Sequence, residues 1–119
     1  MSDAVAYKIL TADQWRALDL DGRFAGAPVD LADGYIHLST AAQLGETAAK
    51  HFAGQDGLIV AAVDIAALGE AIRWEVSRGG ALFPHLYGAL TKADLLWAEA
   101  MPLVEGRHQL PRGLPAAAA

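Results

Sequence analysis

The chain has 119 residues, 54% of them hydrophobic, a formal net charge of −5 and no cysteine. That length suits one domain with a core of its own. The acidic balance argues against a general nucleic-acid surface or an anionic-membrane binder, both of which need clustered Lys and Arg. The missing cysteine excludes disulfides, thiolate catalysis and Cys-based zinc sites.

No basic stretch followed by an apolar one opens the chain, so no signal peptide is expected. The longest apolar run, Leu58 to Val63, is too short to span a membrane. A cytoplasmic, soluble protein is the expectation, with a single domain over 1–110 and a flexible tail over 111–119.

Val5 to Leu10 reads as a first strand. Thr11 follows as an N-cap, and Gln14 completes a capping box. The helix from Ala12 to about Leu18 should bury Trp15 and Leu18 and end near Asp21-Gly22. Arg23 to Asp33, with Gly26 and Pro28, reads as a long surface connection. Tyr35 to Ser39 reads as a second strand, ending in a capping box of Thr40 and Gln43. The helix that follows runs to Ala53, with Leu44, Ala48, His51 and Phe52 along one stripe and Gly54 just beyond. Leu58 to Ile65 is a continuous apolar run and reads as a buried strand. Ala66 to Glu70 fits a single helical turn. Ile72 to Ser77 alternates, with Ile72, Trp74 and Val76 on one face. Arg78-Gly79-Gly80 is a turn. Ala93 to Met101 reads as a strand, with a short helix as the other option. Strands outnumber helices, and the class is α+β.

Two polar knots interrupt this pattern: Asp33-Gly34-Tyr35-Ile36-His37-Leu38-Ser39-Thr40 and Phe83-Pro84-His85-Leu86-Tyr87-Gly88. The first lies at a strand-to-helix junction, where free backbone N–H groups suit an anionic or ribose-bearing ligand. Alternate side chains of a strand point to opposite faces. If Ile36 and Leu38 face the core, His37 and Ser39 face away. The same parity sets Arg73 and Glu75 against Ile72 and Trp74, and His85 and Tyr87 against Leu86. Three polar rows result, and their residue types are those of a site rather than of a plain solvated face.

Each residue also has a structural reading. His37 can bond a nearby carbonyl, His85 can cap a turn, and Glu75 beside Arg73 can be a solvated charged face. Tyr87 can be a core ring with its hydroxyl satisfied. Trp74 and Trp97 read as core, His51 as a helix-face residue at the core edge, and His108 as inert. His37, His51 and His85 with Glu75 lack the short spacing of a zinc motif, so no metal is expected. Ser39 has no G-x-S-x-G around it, which argues against a serine hydrolase.

Taken together, Asp33 to Ser39, His51-Phe52-Ala53-Gly54, Arg73-Trp74-Glu75 and Phe83 to Gly88 resemble the small bacterial proteins of the domain of unknown function 952 family. The resemblance runs from Tyr7 to about Leu103. It implies an ADP-ribosyltransferase-like fold, a small split and bent β-structure with two or three helices packed on it. Relatives in that fold bind NAD in a cleft between two small sheets. His37-Leu38-Ser39 is also similar to a stretch that precedes a helix in the RNA 2′-phosphotransferases of that superfamily.

By that resemblance His37 takes a position on the adenosine or ribose side, with Ser39 and Thr40 near it. Glu75 or His85 takes the later position against the reacting ribose, and Tyr87 stacks. Glu99 follows Trp97-Ala98, which departs from the late pair usual in protein mono-ADP-ribosylation. The expectation is a cleft for NAD, ADP-ribose or a related nucleotide, acting as a transferase or an NAD glycohydrolase. His37, Glu75 and His85 would be catalytic, and Ser39, Thr40, Arg73 and Tyr87 would bind the ligand. A second class is a module that holds a nucleotide, an RNA end or a peptide without turnover. A third is an interaction protein whose polar knots are structural.

Overall fold

The computed structural model describes residues 4–112 and 114. In chain order its elements are β1 (Val5–Leu10), α1 (Ala12–Asp21), β2 (Arg23–Phe24), α2 (Pro28–Asp33), β3 (Ile36–His37), α3 (Ala41–His51), β4 (Leu58–Asp64), α4 (Ile65–Leu68), β5 (Ile72–Val76), β6 (Leu82–Leu86), β7 (Leu90–Thr91), β8 (Leu95–Met101), β9 (Leu103–Val104) and β10 (Arg107–His108). The architecture is α+β. One antiparallel sheet has the order β1-β4-β8, a second has the order β3-β6-β5, and β2-β7 and β9-β10 form small antiparallel pairs.

Strand alternation gives the first sheet two buried faces. Ala6 and Leu10 of β1 join Ala61 and Val63 of β4 in one core, which also takes in Leu18, Ile36, Ile72 and Leu86. Tyr7 and Ile9 point the other way and pack with Val60, Ala62 and Met101 beneath Leu44 and Ala48 of α3. Helices α1 and α3 both begin on complete capping boxes, Thr11 with Gln14 and Thr40 with Gln43.

Several expectations need correction. Residues 23–33 are not a long surface connection. They hold β2 and the six-residue α2, which starts because Pro28 sits at the first helical position and the Asp30 carboxylate, two residues on, reaches back to the Ala27 N–H. With α4 this makes four α-helices among the described residues rather than two or three. The strand over Tyr35 to Ser39 is regular only at Ile36–His37. Helix α3 stops at His51, with Phe52 as its C-cap. Val76 does not join Ile72 and Trp74 in the core. It is 69% exposed, because the β5–β6 hairpin runs past the core edge, where its register partner Leu82 is exposed as well. Trp15 is half-buried while Leu18 is fully buried. Residues 95–101 are a strand, preceded by a 3-10 turn over Lys92–Asp94. Pro111 is buried and Leu114 packs against the core beneath α3; residues 113 and 115–119 of the expected tail lie outside the described residues. No described helix is long and apolar enough to cross a membrane.

Candidate functional site

Among the described residues, main-chain hydrogen bonds join the two larger sheets at a single rung. The Tyr7 N–H donates to the Ser39 carbonyl at 2.8 Å, and the Ser39 N–H donates to the Tyr7 carbonyl at 2.9 Å. In an antiparallel ladder the next rung of this kind would join Ile9 to His37. That rung is not made. The His37 N–H donates instead to Oδ1 of Asp30 at 3.0 Å. Oδ2 of the same carboxylate accepts from the Ala27 N–H at 2.7 Å and from Lys8 Nζ at 2.8 Å.

Lys8 shares a strand face with Ala6 and Leu10, so its stem runs into the interior. The Lys8 and Asp30 side chains are 7% and 0% exposed. A buried ion pair is tolerated only where hydrogen bonds satisfy both ions, and Asp30 has three donors. The pair therefore acts as a wedge between β1 and β3. Where the strands part lies a cavity of about 550 Å³, whose walls include Lys8, Tyr35, His37, Ser39, Thr47 and His51.

Beside the cavity, register turns the second sheet from apolar to polar within one step. Ile36, Leu86 and Ile72 are aligned across β3, β6 and β5 and face the core. The next aligned set is His37, His85 and Arg73, on the opposite face. Tyr35, Tyr87 and Glu75 share that face by parity. The three polar rows therefore meet on one sheet face.

The two imidazoles are each held by a carboxylate. His37 Nε2 lies 2.7 Å from Asp33 Oδ2 at the end of α2. His85 Nδ1 lies 2.8 Å from Glu75 Oε1, and the Tyr87 hydroxyl donates to the same oxygen at 2.7 Å. The hydrogen bond from His85, then that from Tyr87, holds the Glu75 carboxyl below its ordinary 4.5. Donation to that anion pushes the Tyr87 phenol above its ordinary 10.0. Glu75 is thus an ionised carboxylate at neutral pH, fit to stabilise positive charge and not to act as a general acid. The Arg73 guanidinium sits 4.7 Å over the Tyr87 ring.

Tyr35 lies at the centre of this group. It stacks on His85 at 4.1 Å between ring centroids and touches His37 at 4.8 Å and Tyr87 at 5.3 Å. His85 is 2% exposed, and among the described residues its Nε2 has no hydrogen-bond partner.

Of the residues singled out from sequence, His37 and Ser39 line the cavity. Ser39 is buried, with its Oγ 3.0 Å from Thr47 Oγ1 on α3. Glu75, His85, Tyr87 and Arg73 lie on the same sheet face but do not line the cavity. Thr40 Oγ1 is committed to capping, accepting the Gln43 N–H at 3.2 Å. His108 Nε2 donates to the Gln55 carbonyl at 2.8 Å, tying β10 to the loop that follows α3. Among the described residues no group of three or more His, Asp or Glu is placed to hold a metal ion.

Sequence reasoning missed Lys8, Asp30, Asp33 and Thr47 as members of the site. A signal existed for the first two. Lys8 is a charge at core parity in an apolar strand, which demands a buried counter-ion. Asp30 follows Pro28 in the pattern of a helix start. Nothing in the sequence marks Thr47.

No curated protein matches the chain. The crystal structure of protein CC0527 from Caulobacter crescentus is similar, with a TM-score of 0.84 and 48% identity over 88% of this chain and 93% of that one. The solution NMR structure of CC0527 gives a TM-score of 0.80 and 46% identity over 90% of this chain and 92% of that one. Residues 9–98 match the family model described as protein of unknown function, DUF952. The chain belongs to that family.

Proposed function

We propose that the cavity between β1 and β3 binds a small ribose-bearing, nucleotide-like ligand such as NAD or ADP-ribose, and that the adjoining polar face acts on its ribose. The observation that carries this reading is the alignment of His37 and His85 on paired strands, each held by a carboxylate, beside a cavity of about 550 Å³. That volume is in the range of small-molecule sites, and its wall mixes aromatic rings with a few fixed polar groups. The ADP-ribosyltransferase-like reading of the sequence agrees with a ligand held where two small sheets part.

The chemistry is glycosidic cleavage. As the bond from ribose C1′ to nicotinamide breaks, its electron pair leaves with the nicotinamide and C1′ becomes oxocarbenium-like. An ionised carboxylate stabilises that charge and can accept from the ribose 2′-hydroxyl. Glu75 is the ionised carboxylate of the face. His37 and Ser39 would orient the ribose, and Arg73 would hold the diphosphate. The acceptor, water or another hydroxyl, adds to C1′ and gives up its proton. A preorganised charge or donor of this kind lowers a barrier by about 3 kcal/mol.

A second reading is binding without turnover. It is favoured by the commitment of the Glu75 oxygen to both His85 and Tyr87, and by the position of Glu75 off the cavity wall. One experiment separates the two. The protein is titrated with NAD and with ADP-ribose while the His37 and His85 resonances are followed, and free nicotinamide is assayed. Turnover predicts nicotinamide release that Glu75→Gln abolishes. Binding alone predicts ligand-dependent shifts that survive Glu75→Gln, with no release. If millimolar ligand leaves both histidines unmoved, both readings fail.

A further inference from the structure

We infer that Tyr35 is a movable shutter over His85, and that His85 Nε2 behind it is the acceptor for a hydroxyl of the ligand. The inference rests on the cavity being a ligand site, and it extends that site past its present wall.

Three observations carry it. The first is the orphaned nitrogen. His85 is 2% exposed, and its Nε2 has no hydrogen-bond partner among the described residues. A buried polar atom without a partner is uncommon enough to call for a reason, and a binding or catalytic role is one. The second is the state of that atom. Nδ1 is 2.8 Å from the Glu75 carboxylate, so in the neutral imidazole Nδ1 carries the proton that this bond uses and Nε2 carries the lone pair. In an imidazole ring the two nitrogens point in nearly opposite directions. Glu75 holds the ring from β5, so Nε2 is turned away from β5, toward the strand that carries His37. The third is what lies between. Tyr35 and His37 wall the cavity on this side, and both pack on the His85 ring, at 4.1 Å and 5.4 Å between centroids.

Tyr35 can move because, among the described residues, no hydrogen bond holds its hydroxyl; ring contacts with His37, His85 and Tyr87 keep it in place. It is half-exposed and lies between the cavity and a smaller one of about 290 Å³ on its other side. Rotation out of the stack would join the cavity to His85 and leave a flat slot the width of one ring. The expected ligand therefore has a planar group that replaces Tyr35 on His85, with a hydroxyl within reach of Nε2.

Labelling with diethyl pyrocarbonate, which attacks the imidazole lone pair, tests the shutter on the full chain without a ligand. In the parent protein His85 should react far more slowly than the exposed His51. Tyr35→Ala should bring His85 close to the His51 rate, and Tyr35→Phe should keep it slow. A His85 that stays protected in folded Tyr35→Ala overturns the shutter, as does one that reacts as fast as His51 in the parent.

ADP-ribose is then added to Tyr35→Ala. Slower labelling of both His37 and His85 supports the acceptor role. Slowing at His37 alone overturns that role while leaving the cavity a ligand site. Slowing at neither removes the ligand reading and the acceptor with it. If Tyr35→Ala does not fold, nitrogen-15 spectra of the parent decide: an unprotonated Nε2 that shifts on addition of ADP-ribose supports the inference, and a protonated or unmoved Nε2 overturns it.

Discussion

Two rungs of one would-be ladder, two residues apart, meet opposite fates. Tyr7 and Ser39 pair through both main-chain groups. Ile9 and His37, next in line, do not pair, because Asp30 takes the His37 N–H and Lys8 takes a place beside it. The closed rung is backed by apolar packing under α3 and by the contact between the Ser39 and Thr47 hydroxyls. The open rung is backed by a buried ion pair. The contrast shows how a cavity can be cut into a sheet. A continuous ladder between β1 and β3 would leave no gap, and one carboxylate with a lysine, both out of solvent, holds the strands apart.

The largest effect should come from breaking the wedge. Asp30→Leu removes three acceptor contacts and leaves the Lys8 ammonium buried without its carboxylate, which should cost about 3–5 kcal/mol of stability, read from chemical denaturation. Adding Lys8→Met should return most of that loss, since a hydrophobic replacement of a whole buried pair is often neutral or better. The double variant also tests the comparison itself. With the wedge gone, the Ile9–His37 rung is free to close. Slower hydrogen exchange at the His37 N–H together with loss of ligand-induced shifts would show the gap had zipped. Unchanged exchange there would mean that something other than the ion pair keeps the strands apart.

How far this arrangement could be read from the chain differs from residue to residue. Strand parity set His37, His85, and Arg73 with Glu75 each opposite the apolar residues of its own strand, because parity is local; that the rows share one face comes from the register of β3, β6 and β5, which the sequence left open. It failed at Val76, because it says nothing about where a hairpin outruns the core. Both long helices began where their capping boxes predicted. The wedge was illegible as a contact. Lys8 and Asp30 are 22 residues apart, and no spacing rule links a strand lysine to the third residue of a six-residue helix. That Tyr35 would cover His85 depends on side-chain rotamers on two paired strands, which sequence does not reach.

The closed side can be probed more gently. Thr47→Val deprives the buried Ser39 hydroxyl of its partner and should cost about 1–3 kcal/mol. Ser39→Ala combined with Thr47→Val should be milder than Thr47→Val alone, because no polar group is then left unsatisfied. Thr40→Ala removes the N-cap of α3 and should cost about 1 kcal/mol. All three should leave the open rung as it is. If Thr40→Ala lowers ligand affinity without lowering stability, its hydroxyl serves the ligand rather than the helix.

The smallest effect lies in acid. The folded-state pKa of Glu75 is depressed by His85 and Tyr87, so its contribution to stability is present above the ordinary 4.5 and lost as pH falls through the folded value. Asp56 is depressed too, through the N–H groups of Leu103 and Gly57. Carboxyl titration by carbon-13 NMR distinguishes the two causes. Tyr87→Phe should raise the Glu75 midpoint part of the way toward 4.5, because the bond from His85, the larger influence, remains. The Asp56 midpoint should not move, since its donors are main-chain groups outside the polar face. An unmoved Glu75 in Tyr87→Phe would mean that the imidazole alone sets its charge, which would place the whole electrostatic burden of the face on the one ring that Tyr35 covers.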